Sequence, residues 1–347
     1  MDATLNHEEE LLASSAGRVA DDLTKGWEEP SEGSTDRAWR ILADSGLLNL
    51  RLPEALGGGG ASAVDAALCA EAFATRLSRV ALVGPLMALE FVALSGGAGD
   101  ELSELGSGAR RTTIALELGL SDVMRHSDGD GIAFDAAGAT QALMLVPDRG
   151  KWQLAVCQLG DEVPSADVSR RFASLSKDPP SRLAAFLDHA AFDRWRAFGL
   201  TMLCADMVGA MQAALNMGVE HARSRHQFGR PIGSFQAIQH LCAEQHVNLE
   251  ASRSATYYAA WAVDGLSPAD ALVAARVAKA YVSRVSTQVV EAVMQIYGGL
   301  GQSWECTAHL FLRRVLADRT ILGDDRSQEV ALAPCIGGNG RQMSDST

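Results

Sequence analysis

Between residues 222 and 240 the chain reads ARSRHQFGRPIGSFQAIQH. A basic turn closes one helix, Gly229-Arg230-Pro231 breaks it, and a second helix restarts after Gly233-Ser234. Upstream, Leu200, Cys204, Met207, Met211, Leu215 and Val219 recur every three or four residues, the single apolar stripe of a long amphipathic helix. Downstream, Val282, Val285, Val289, Val293 and Ile296 form another. Their β-branching favours a strand, but a helical period sustained over that length outweighs it. The chain from Asp193 to about Asp318 is therefore expected to be helical.

The rest divides into two textures. Residues 1–108 read as helical, with apolar periodicity at 8–23 and 36–48 and Thr35 or Asp36 as a cap. Four glycines at 57–60 force a loop, and Ser62 and Asp65 are both candidate caps for the Ala-rich helix after it. Residues 109–190 instead hold short runs, RTTIALEL, GIAFDA, QALMLVP and KWQLAVCQL, bounded by Asp128-Gly129-Asp130-Gly131 and Pro147-Asp148-Arg149-Gly150. This pattern predicts a small antiparallel β domain with hairpin turns. The fold class is α+β, with an N-terminal helical domain (1–108), a middle β domain (109–190) and a C-terminal helical bundle (191–347). The closing segment IGGNGRQMSDST is expected to fray.

Bulk properties exclude several classes. The 347 residues include 30 Lys+Arg and 43 Asp+Glu, a net charge of −13, and 47% are hydrophobic. That much apolar material argues against global disorder. The acidic balance argues against nucleic-acid binding and attraction to anionic membranes. No run reaches the roughly 18 uninterrupted apolar residues of a membrane span. The six cysteines are far apart and form no C-x-x-C pair, so reduced buried thiols in a cytoplasmic protein are expected. His226, His240 and His246 lack the spacing and acidic companion of a metal site. Tyr257, Tyr258 and Trp261 are expected in the bundle core.

Two segments carry chemistry. In the first, Arg223, Arg225 and Arg230 place three guanidiniums within one turn and a break, a set suited to phosphate. The alternative is a solvated basic helix end that favours the helix dipole. The second is QIYGGLGQSWECTAHLFLRR at 295–314, where Gly298, Gly299 and Gly301 end a helix and allow close approach of a backbone or cofactor. It is not a dinucleotide fingerprint of the strand–glycine–helix kind, because it follows a helix.

Together these segments resemble the acyl-CoA dehydrogenase family, whose C-terminal domain carries R-x-Q-F-G-[KR]-P-I-x-x-F-Q-x-I-Q-H and, two helices later, Q-I-x-G-G-x-G. The first is met from Arg225 to His240 and the second from Gln295 to Gly301. LADSGLLNLRLPEALGGGG near the N-terminus is similar to the family's helical domain. The resemblance implies a C-terminal four-helix bundle and an FAD shared between subunits. Arg225 would meet the pyrophosphate, with Gln227, Phe228 and Gln236 lining the same stretch and Gln295, Gly298, Gly299 and Gly301 the other side of the adenosine end.

The family reaction removes an α proton from an acyl-CoA thioester while the β hydrogen leaves as hydride to flavin, and needs a carboxylate base. The family places its glutamate at one of two positions. Leu322 and Gly199 stand there in this chain, and neither accepts a proton. The family's flavin-ring stretches are not recognisable either. Glu117 to Asp122 is a faint echo of one, and Trp152 lacks the companions of the other. The resemblance therefore implies a non-catalytic subunit of a heteromeric (α2β2) enzyme of steroid or lipid catabolism. A homologous catalytic subunit, an acyl-CoA substrate and an electron-transfer flavoprotein or similar acceptor would be its partners. Two alternatives stay open: a self-sufficient enzyme with Asp206, Asp324 or Asp325 as a relocated base, and a flavin-free acyl-CoA-binding or scaffold relative.

Overall fold

A computed structural model describes residues 5–24, 34–97, 99–125 and 130–336. Five helices lead: α1 (His7–Thr24), α2 (Ser34–Asp44), α3 (Ala63–Ala74), α4 (Val83–Leu94) and α5 (Gly99–Gly106). Helix α2 already includes Thr35 and Asp36 in its first turn, so neither is its cap. Ser62 does cap α3. Its Oγ accepts the Asp65 N–H at 3.2 Å, and Asp65 accepts the Ser62 N–H at 2.8 Å, a reciprocal capping box. The alanines of α3 serve close packing. At Gly209, on the long helix beneath, a Cβ would fall 2.1 Å from the Glu71 carbonyl oxygen and 2.9 Å from the Ala74 methyl.

Six strands follow: β1 (Thr112–Glu117), β2 (Gly131–Phe134), β3 (Gln141–Asp148), β4 (Lys151–Val163), β5 (Phe172–Leu175) and β6 (Ser181–Leu187). Their order is β3-β1-β2-β5-β4-β6, and β3 also pairs with β4, so five strands close on themselves and β6 extends from β4. Closure explains one departure from the expected antiparallel set: β1 and β3 run parallel. Side-chain alternation then sorts residues by size. Ala115, Ala133, Ala142, Ala155, Cys157 and Ala173 share a small inner cluster, while Ile114, Leu116, Leu143, Leu145 and Leu154 join the main core against the helices. The 147–150 turn is a two-residue hairpin with left-handed Arg149 and Gly150 (φ 46° and 80°). Strands β5 and β6 lack a distinctive sequence signal. The first half of the expected turn at 128–131 and the tail after Ile336 lie outside the described residues, and Gly131 of that turn already belongs to β2.

The third part holds α6 (His189–Ser224), α7 (Gln236–Gly265), α8 (Pro268–Tyr297) and α9 (Ala308–Thr320), the four bundle helices, with α10 (Asp325–Ile336) laid on α8. Helix α6 is long and apolar enough to cross a membrane, yet 89% of its apolar window is buried inside the fold. Its hydrophobicity belongs to the centre of the molecule, where it meets α3, α4, α7, α8 and α9. It ends at Ser224, five residues before the expected break at Gly229, because Arg225 turns extended (φ −76°, ψ 124°). Tyr257 is buried as expected, but Tyr258 is exposed.

Cys69, Cys157, Cys204 and Cys306 are buried and free, whereas Cys242 is half-buried and Cys335 exposed. Burial pushes the Cys69 and Cys204 thiols up to about 12 and Cys157 to about 11, from an ordinary 9.0. The folded chain thus keeps these protons after the unfolded chain has released them. Their stabilising effect is complete below about pH 9 and is lost as pH rises toward the folded values. Lys279, lowered by burial to about 8 from 10.5, acts in the opposite sense between those two values. Three groups against one should make urea-unfolding free energy fall steadily above about pH 9. A flat profile to about pH 11 would contradict these burial effects.

Candidate functional site

The dinucleotide candidates lie where α6 and α8 end side by side. The His221 ring stacks on Tyr297 with centroids 4.1 Å apart, and Tyr297 Oη donates to the Met217 carbonyl at 3.2 Å. These contacts join the last turns of α6 and α8, which lead into Arg225 and Gly298. Beyond Arg225 the chain forms a two-stranded hairpin, β7 (His226–Gln227) and β8 (Arg230–Pro231). Its turn is Phe228-Gly229, both left-handed (φ 52° and 76°). A bulky residue at positive φ is strained, and Phe228 is also 91% exposed. Phe235 meets its edge at 6.1 Å and receives the Arg230 guanidinium at 4.0 Å. The result is a rigid aromatic hairpin held out from the surface.

Arg225, Gln227, Gln236 and Gln295 are all exposed. Arg223 faces Glu220 at 3.9 Å, whereas Arg225 has no ion pair among the described residues. The glycines divide into different roles. Gly298 has φ 62° and ψ −141°, a region essentially closed to other residues. Gly299 is exposed and has nothing within 4 Å of where a Cβ would stand. Its lack of a side chain leaves an open cradle that the chain's own packing does not require. Gly301 is buried, and a Cβ there would press on the Met294 carbonyl at 2.9 Å and the Tyr297 Cβ at 3.0 Å. It shapes the turn from within rather than lining a surface. An exposed guanidinium, amide side chains and an open glycine form a donor set that fits a pyrophosphate and its nucleoside.

Gly199 and Leu322, the two base positions, meet in space. A Cβ on Gly199 would lie 2.6 Å from Met87 Cε and 3.0 Å from Leu322 Cδ1. Leu322 is fully buried at φ 58°. The locus is thus filled by a thioether and an isobutyl group. The loop presenting Leu322 is tightly held. Buried Lys279 spends its three N–H groups on the carbonyls of Arg319 (3.0 Å), Ile321 (3.0 Å) and Gly323 (3.1 Å). Gln328 donates to the Leu322 carbonyl at 2.8 Å, and the Leu322 N–H donates to Leu120. Lys279→Met is expected to lower the unfolding free energy by about 3 kcal/mol, because buried carbonyls lose their donor. Urea denaturation checks this, and a change near zero would contradict it.

The relocated-base candidates are otherwise engaged. Asp324 accepts the Ser327 N–H at 2.8 Å and its hydroxyl at 2.6 Å as the cap of α10, and these bonds hold its carboxyl below the ordinary range. Asp325 pairs with Arg319 at 2.7 Å. Asp206 sits in a buried ionic cluster between the β barrel and the bundle. Arg314 grips it bidentately at 2.8 Å and 2.8 Å, and Arg170 adds a bond at 2.9 Å. Burial alone would raise the Asp206 carboxyl, but the two guanidiniums overcome it and hold the group well below its ordinary value. A carboxylate gripped by two guanidiniums and held that low is a weak base. Arg170 also bonds Asp318, whose carboxyl is raised well above its ordinary value by burial, an effect the nearby Asp206 charge reinforces and the guanidiniums only partly offset. Nothing in the sequence marks this cluster, since its members lie at 170, 206, 314 and 318.

Comparison with known proteins shows the family and the fold. The family description "Acyl-CoA dehydrogenase, N-terminal domain" matches residues 6–98, and "Acyl-CoA dehydrogenase, C-terminal domain" matches residues 197–333. Acyl-CoA dehydrogenase IpdE2 of Mycobacterium tuberculosis is 30% identical over 299 residues, covering 85% of each chain. A solved structure of the Tcur3481-Tcur3483 steroid ACAD superposes with a TM-score of 0.85 at 27% identity, covering 97% of this chain and 99% of that one. The ChsE4-ChsE5 complex from Mycobacterium tuberculosis shares the fold, with a TM-score of 0.80 at 19% identity over 97% of this chain and 99% of that one. With both terminal domains matched and a relative similar along most of its length, this chain belongs to the acyl-CoA dehydrogenase family.

Proposed function

We propose that this chain is the non-catalytic subunit of a heteromeric, FAD-dependent acyl-CoA dehydrogenase acting in steroid or lipid catabolism. A homologous partner would supply the carboxylate base and the flavin-ring site. This chain would supply the adenosine and pyrophosphate half-site through Arg225, Gln227, Phe228, Gln236, Gln295, Gly298 and Gly299, with Gly301 setting the turn beneath. The observation that carries the reading is the apolar base locus, where Gly199, Met87 and Leu322 converge without a carboxylate. The buried Arg170–Asp206–Arg314–Asp318 cluster at the barrel–bundle seam supports it. So do the relatives whose names join two proteins in a steroid ACAD or a complex.

Each residue has a definite task. FAD, when bound, supplies the acceptor for the β hydride. Arg225 would neutralise its pyrophosphate, and the open Gly299 would let the adenosine end come close to backbone. The Phe228 hairpin would be covered by the partner, which gives an exposed aromatic a reason to be there. The engaged state of Asp206, Asp324 and Asp325 disfavours the self-sufficient alternative. The test is the flavin stoichiometry of the co-expressed complex with a homologue that carries a glutamate at one of the two base positions. One FAD per two chains supports the reading, and one FAD per chain overturns it.

A further inference from the structure

We infer that Arg125, Arg196 and Arg276 form a second oxyanion site, selective for a phosphate group, on the barrel–bundle seam away from the Arg225 face. The three come from separate elements. Arg125 lies between β1 and β2, Arg196 on the second turn of α6, and Arg276 on α8. Arg125 is fixed in place, with its guanidinium 5.2 Å from the Trp152 ring centroid and 5.0 Å from that of Phe192.

The charge does not balance. Arg125 and Arg196 both donate to the same oxygen of Asp122, at 2.6 Å and 3.3 Å, while its other oxygen accepts the Val123 N–H at 2.9 Å. That carboxylate already holds three donors and carries a single charge between two guanidiniums. Asp193 is the other acid within electrostatic reach of Arg196 and Arg276, and His189 lies beside it. Among the described residues, three guanidiniums thus face two carboxylates, in a chain whose overall charge is −13. Among the described residues Arg276 has one hydrogen-bond acceptor, the Ala331 carbonyl at 3.3 Å. The Nε of all three arginines is buried without a hydrogen-bond partner.

Convergent like charges with unspent donors are stable together when an acceptor of several lone pairs joins them. The set is open enough to admit one, because the side chains of Arg125, Arg196 and Asp122 keep 26%, 16% and 21% of their exposure. A phosphate oxyanion supplies the missing charge and matches the planar fork of arginine. The site is independent of the assignment made to Arg225.

The test is calorimetric titration of the full chain with pyrophosphate and, separately, with CoA as a phosphate-bearing nucleotide. Saturable binding is expected, weakened about fivefold or more in Arg196→Gln and in Arg276→Gln. Arg313→Gln, distant from the cluster, should leave it unchanged. Arg196→Lys keeps the charge without the fork and should retain part of the affinity. If CoA binds about tenfold tighter than pyrophosphate, the ligand is a nucleotide tail. Equal affinity identifies a site for the inorganic anion, and either result upholds the assignment. Absence of saturable binding up to about 10 mM, or equal affinity in wild type and both glutamine variants, overturns it.

Discussion

In the co-expressed complex, Arg225→Ala should weaken FAD retention by about ten- to a hundredfold. A hydrogen bond to a charged group contributes about 1.5–3 kcal/mol, and each 1.4 kcal/mol is a factor of ten. Arg225 is exposed and has no ion pair within its own described chain. Losing it should therefore not disturb the fold, and any effect reports on what docks there. Arg223→Ala is the matched control: it removes the same charge two residues away from a side chain already facing Glu220. That control should change retention less than about threefold, since exposed pairs contribute little. The readout is flavin absorbance per complex after gel filtration. Full occupancy in Arg225→Ala would remove this residue from the half-site.

Arg314→Met should cost the isolated fold about 3–5 kcal/mol, because it strips a buried carboxylate of its strongest partner. Arg314 holds Asp206 through two bonds of 2.8 Å and also donates to Ser169 Oγ at 3.1 Å. The cluster joins three parts of the chain: Ser169 and Arg170 from the barrel, Asp206 from α6, and Arg314 and Asp318 from α9. The barrel should loosen from the bundle. Asp318→Asn should cost far less, about 1 kcal/mol, since burial already disfavours the charge on this carboxyl and raises it well above its ordinary value. Paired urea titrations of the two variants decide the point. Equal losses would mean that Asp318 carries a full charge in the fold.

Much of this architecture is legible in the amino-acid order, for physical reasons that vary by region. The stripes at 200–219 and 282–296 announce α6 and α8 because a helix repeats its buried face every three or four residues. Ser62 and Asp65 announce the start of α3 because a cap is a local interaction. The barrel was harder to read. Its closure, its parallel β1–β3 pair and the edge strand β6 depend on pairings between distant segments. The site shows the same division. The segments at 225–240 and 295–301 stand out because they are contiguous. That Gly199 and Leu322 touch, that Lys279 holds the loop presenting Leu322, and that the ionisable side chains at 170, 206, 314 and 318 bond one another appear only in three dimensions. Gly301 illustrates the converse: it belongs to the glycine motif, yet its small size serves the turn of its own chain.

The central claim of the proposed function is that neither of the two base positions, nor Asp206, Asp324 or Asp325, takes an α proton from a thioester. The direct measurement is dye-linked acyl-CoA oxidation by the purified chain alone, supplied with excess FAD, beside the same assay on the complex. No turnover by the chain alone and full turnover by the complex is the predicted pair of results. Turnover by the chain on its own, abolished in Asp206→Asn, Asp324→Asn or Asp325→Asn, would contradict the claim and identify the base that the geometry places out of reach.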